Sequence, residues 1–139
     1  MNTMAPPRPT DLDACRVRLT AGPAAAAAQA RRQVRAAISA WRAPVDPDVA
    51  VLLTSDLVTY ALRHEAGDTV TLAISCSGGE LRVDVHGSSR SRPSQADARV
   101  EPEIGPGLIL VATLSDEWGS YRTPDGKAVY FTLAFQPEI

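Results

Sequence analysis

The spacing of apolar and polar residues changes several times along the chain, and each change marks an element. "ACRVRLTA" alternates with period two, which predicts a strand over about 14–20. Gly22-Pro23 breaks it, and Pro23 suits the first turn of a helix, where its missing N–H has no helical partner to lose. From Ala24 to Trp41, apolar residues recur at Ala27, Ala30, Val34, Ala37, Ile38 and Trp41, the spacing of one helical face. The alanines on that face predict close packing against a sheet or another helix. "APVDPD" then connects to a second helix, with Asp46 as N-cap and Pro47 at its first position. That helix runs over about 47–65, with a stripe at Val49, Leu52, Leu53, Leu57, Tyr60 and Ala61.

The period returns to two in "DTVTLAISCSGGELRVDVHG", which predicts two strands joined by a hairpin at Ser77-Gly78-Gly79. Residues 88–104 hold few large apolar side chains, and a loop of that length inside a compact domain is usually functional or disordered. Gly105-Pro106-Gly107 opens a short apolar helix. "EWGSYRT" and "KAVYFTLAF" follow as strands paired across Pro124-Asp125-Gly126. Helices segregated from hairpin-connected strands predict an α+β two-layer sandwich. It would span 13–136, after a Pro-rich and disordered tail over 1–12.

A length of 139 residues suits one domain with a sizeable core, and 45% hydrophobic with 22% charged residues fits a soluble globular protein. The net charge of −2 argues against a general polyanion binder, and no basic block or basic helix face points to nucleic acid. "PAAAAAQA" is followed at once by "RRQVR", which makes it helix rather than export signal, and no apolar run approaches membrane-spanning length. Cys15 and Cys76 sit in strand-like runs and read as buried thiols, which suits a reducing cytoplasm. His64 and His86 lack the spacing of metal ligands, so no metal site is expected from the residues themselves. Trp41 and Trp118 read as core anchors, and Arg90, Arg92 and Arg99 as solvated loop charges.

The second helix also sets Asp56, Tyr60 and His64 one turn apart beside its apolar stripe. Three regions stand out together and in order: "SDLVTYALRH", "VDVHGSS", and "GPGLILV" followed by "DEWG". With them the chain resembles the small bacterial anti-sigma-factor serine/threonine kinases of the histidine-kinase-like ATPase superfamily. The resemblance covers the whole domain and implies that superfamily's fold, a mixed, mostly antiparallel sheet covered by helices.

It also implies a nucleotide site. In the family an acidic residue of the first region acts on the attacking group, and an Asn one turn later ligates Mg²⁺ on the ATP phosphates. Asp56 stands at the acidic position as the catalytic candidate, and Tyr60 at the Asn position. A protonated, bulky phenol is a poor Mg²⁺ ligand. The family's second region ends in an Asp that receives the adenine amino group. Gly87 stands there, on the core-facing side that alternation gives to Leu81, Val83 and Val85, with Ser88, Ser89 or a water to replace the missing side chain. Gly105, Gly107 and Leu108 match the turn whose backbone N–H groups and helix end hold phosphate, and 88–104 matches the lid over the nucleotide. His64 reads as a surface histidine.

With neither the matched metal ligand nor the matched adenine acceptor, the resemblance implies a regulatory protein that binds partners, with ATP binding impaired or lost. The implied partners are a sigma factor or an anti-sigma-factor antagonist, and family members often dimerise, so a homodimer is open. The alternative is an active Mg-ATP-dependent serine/threonine kinase that phosphorylates such an antagonist. An unrelated small α+β domain is the third reading.

Overall fold

The structure is a computed structural model that describes residues 13–19, 22–64, 69–88, 108–124 and 126–136, without the side chains of His64, Thr69 and Ser88. The tail over 1–12, the loop from Ser89 to 104, and Gly105 and Gly107 lie outside the described residues.

The elements run β1 (Asp13–Arg18), α1 (Pro23–Trp41), α2 (Pro47–His64), β2 (Thr69–Ser77), β3 (Glu80–Ser88), α3 (Ile109–Leu114), β4 (Glu117–Thr123) and β5 (Gly126–Ala134). This is the order expected from the spacing. α1 begins at Pro23 and ends on Arg42 in the left-handed region at φ 52, where the N–H of Ala43 donates back to the Ile38 carbonyl at 3.1 Å. Asp46 caps α2 as expected: its Oδ1 accepts the Asp48 N–H at 2.9 Å. Gly78 and Gly79 carry φ of 40° and 99°, the two positive values that a tight hairpin between right-twisted strands needs.

The strands form one sheet in the order β1-β2-β3-β5-β4, and every pairing is antiparallel. The mixed sheet expected from the resemblance is therefore not seen among the described strands. The connection from β1 explains why. A single helix would return the chain to run parallel to β1. Here two packed helices joined by a short connector return it to the end where β1 finished, so β2 runs back beside β1.

The core lies between the helices and one face of the sheet. Val70, Leu72, Ile74 and Cys76 of β2, Leu81, Val83 and Val85 of β3, and Val129, Phe131 and Leu133 of β5 meet Ala30, Val34 and Ile38 of α1 and Leu53, Leu57 and Val58 of α2. Trp41 and Trp118 pack against its rim, as expected. Cys15 and Cys76 are free thiols, and burial raises the Cys15 pKa. No described helix is long and apolar enough to cross a membrane.

Candidate functional site

The burial of α2 is turned relative to the stripe predicted for it. Ala50, Val51, Leu53, Thr54, Leu57, Val58 and Ala61 are buried, while Leu52 is 42% exposed and Val49 and Tyr60 are half-buried. α2 is covered from three sides, by α1, by the sheet and by α3, and their placement sets the centre of the buried arc. Thr54 is tolerated inside it because its hydroxyl donates to the Ala50 carbonyl at 2.8 Å.

At 100° per residue, Asp56 and Tyr60 flank this arc on one side, and on the other it ends at Val51 with Ser55 beyond it. Asp56 is half-buried, and desolvation raises its carboxyl pKa above the usual value. The Tyr60 ring packs against the core. His64 closes α2, and its side chain lies outside the described set.

Gly87 occupies the core-facing side of β3, in phase with Leu81, Val83 and Val85, and is buried between Val70 and Lys127 on the neighbouring strands. The expected inward phase is therefore found, but that position presents backbone alone. Leu108 is 3% exposed and belongs to the core cluster beside Val111. Of the predicted site residues, the described ones are thus Asp56 and Tyr60 on one border of α2, Gly87 in the sheet with the backbone of Ser88 beside it at the end of β3, and Leu108 in the core under α3. Among the described residues no cluster of His, Cys, Asp or Glu is arranged to hold a metal ion.

The far face of the sheet carries a second polar cluster, which the sequence reading did not single out. Arg82 is 7% exposed and Asp84 only 1%. Two residues apart on one strand, they point the same way. The guanidinium grips the carboxylate with both ends of its fork, Nε to Oδ1 at 2.9 Å and Nη2 to Oδ2 at 3.0 Å. Tyr121, from β4, donates its hydroxyl to Asp84 Oδ2 at 2.5 Å. It reaches across β5 at Ala128, whose small side chain leaves room. Arg82 also lies 4.1 Å above the Tyr130 ring, and the Tyr130 hydroxyl donates to Glu117 Oε2 at 3.4 Å.

The electrostatics follow from this packing. Burial opposes the charge on Arg82, but the bond and charge of Asp84 outweigh it and the pKa is raised. Burial, the Asp84 charge and the bond to it push the Tyr121 pKa up, and burial with the Glu117 charge pushes Tyr130 up to about 12. His86, next along the same face, meets the Tyr121 ring edge-on at 6.1 Å between centroids. Its Nε2 is buried without a hydrogen-bond partner among the described residues. Burial and the charges of Arg16 and Arg82 hold its pKa below the ordinary histidine value, against the pull of Asp84. Both oxygens of the Asp84 carboxylate are answered within this set, by Arg82 and Tyr121, the arrangement of a structural clasp.

A third group of charges was also missed. Arg31, Arg32 and Arg35 share the outer side of α1, and with Ala28, Ala36 and Ser39 of that helix and Val51 of α2 they line an open groove of about 550 Å³. The signal was present in "ARRQVRAAIS": arginines at i, i+1 and i+4 with small residues one turn to either side. The sequence reading singled out no basic helix face, and the structure places these three along one stretch of α1. Compared with known proteins, the chain matches no family model and no curated sequence.

Proposed function

We propose that this chain is a cytoplasmic regulatory protein on a histidine-kinase-like ATPase fold that acts by binding a partner protein, a sigma factor or an anti-sigma-factor antagonist, with its nucleotide pocket impaired or lost. The observation that carries the reading is Gly87. It sits buried on the core-facing side of β3, in the phase where a base-accepting carboxylate would point inward, and it offers no side chain. Tyr60, one turn after Asp56 on α2, adds a phenol where a metal ligand is needed. Phosphoryl transfer relies on positioning and on charge neutralised by metal, so two separate supports are missing while an α+β sandwich with the expected order of elements is present. A function carried by surface contacts survives both losses.

Calorimetry with ATP, with and without Mg²⁺, tests this. The expected result is weak or absent binding that Mg²⁺ does not strengthen. Tyr60→Asn combined with Gly87→Asp should restore some Mg²⁺-dependent binding in a variant shown by circular dichroism to remain folded. Tight ATP binding strengthened by Mg²⁺ in the unaltered chain would overturn the reading in favour of an active kinase. One observation favours that second reading: the raised carboxyl pKa of Asp56 moves it towards the range of a working general base.

A further inference from the structure

We infer that the arginine-lined groove between α1 and α2 is a docking site for an acidic amphipathic helix of a partner protein. α1 carries three positive charges and no acidic residue, in a chain whose net charge is −2. Those charges are poorly answered among the described residues. Arg31 donates to the neutral Ser55 hydroxyl at 3.1 Å. Arg35 meets Asp48 at 3.4 Å, with both side chains well exposed, a pairing of little strength in water. Arg32 has no bonded partner among the described residues. A carboxylate-bearing partner therefore finds guanidinium groups whose charge is still available.

The groove's shape selects the class of partner. Its α1 wall runs from Ala28 to Ser39, three helical turns or roughly 16 Å, which suits an elongated segment better than a single small anion. Its floor is Ala28, Ala36 and the buried Val51, small or apolar groups that let a helix backbone approach closely. Leu52, 42% exposed, stands one turn from both Asp48 and Ser55 on the α2 rim and gives such a helix an apolar contact. A phosphate backbone would meet the arginines but leave Val51 and Leu52 without an apolar partner. An acidic helix with one apolar face satisfies the arginines and the floor together. This inference is independent of the nucleotide reading, because Val51 and Ser55 lie across α2 from Tyr60.

The test uses the full chain, isotope-labelled for nuclear magnetic resonance, and three probes. One is a Glu/Leu amphipathic peptide of about four helical turns, one is the same peptide with Gln for every Glu, and one is an oligothymidylate. The Glu peptide is expected to shift the backbone amides of Ala28 to Ser39 and of Val51, with an affinity that falls as salt rises, and the Gln peptide to leave them still. Arg32→Glu should weaken the Glu peptide at least about tenfold, whereas Arg63→Glu, at the far end of α2, should not. Absence of shifts at millimolar peptide, equal binding to Arg32→Glu, or occupation of these amides by the oligothymidylate instead would each overturn the assignment. ATP titrations leave all these outcomes unchanged, so failure here and failure of the nucleotide reading are separately visible.

Discussion

At position 84 a carboxylate that is 1% exposed accepts two bonds from Arg82 and one from Tyr121. Removing it leaves a buried guanidinium without its counter-charge, so Asp84→Ala should cost about 3–5 kcal/mol in urea unfolding. Replacing both partners by apolar groups, as in Arg82→Met with Asp84→Leu, removes the uncompensated charge and should recover most of that loss. The two results together separate the worth of the pair from the penalty of breaking it. Asp56 behaves in the opposite way. Its pKa is raised by burial, so its charged form is disfavoured in the folded chain above that pKa and relieved as pH falls. Asp56→Asn should therefore keep or raise the melting temperature at neutral pH. A carboxylate retained against stability is what a working residue looks like, whereas a clear fall in melting temperature would mark Asp56 as structural.

Among the elements, the two helices show how far local rules reach. α1 stops at Arg42 in a conformation that costs a non-glycine residue about 1–2 kcal/mol, while glycine's extra chain entropy takes back about 0.5–1 kcal/mol. Arg42→Gly should thus stabilise by about 0.5 kcal/mol, read as a shift in the urea midpoint at unchanged slope. In α2, neighbouring leucines have opposite fates. Leu53 is fully buried, and Leu53→Ala should cost about 2–5 kcal/mol. Leu52→Gln, at a side chain 42% exposed, should change stability by less than about 0.5 kcal/mol. The sequence places both in one apolar stripe, and only the packing of α1, the sheet and α3 around α2 tells them apart.

For the molecule as a whole, the acid side of the stability curve traces to the far face of the sheet. There His86 faces Asp84, Arg16, Arg82 and the Tyr121 ring, and its pKa is depressed chiefly by burial. In the unfolded chain a histidine takes its proton near pH about 6.5. The folded state resists that proton, so the His86 contribution is present above this pH and is lost as pH falls through the lower folded value. Melting temperatures of the unaltered chain should decline between about pH 7.5 and 5, and His86→Gln should flatten that slope. A slope unchanged in His86→Gln would place the acid sensitivity elsewhere.

The sequence by itself determined the elements and their order. Proline at helix starts, Asp46 as a cap, paired glycines at a hairpin and clean changes of hydrophobic period act within a few residues, so a linear reading captures them. It also placed Gly87 on the inward side of β3, because alternation is a local property of a strand. The tertiary structure decided which strands are neighbours and therefore that the described sheet is antiparallel throughout, since this depends on two helices packing side by side. It decided as well that Arg82 and Asp84 are buried. Tyr121 reaches the pair from β4, thirty-seven residues away, over a strand whose facing residue is only an alanine. It turned Leu52 outward and gathered the α1 arginines against Val51 into a groove. These are properties of surfaces brought together from distant stretches of chain, and no window along the sequence contains both sides of them.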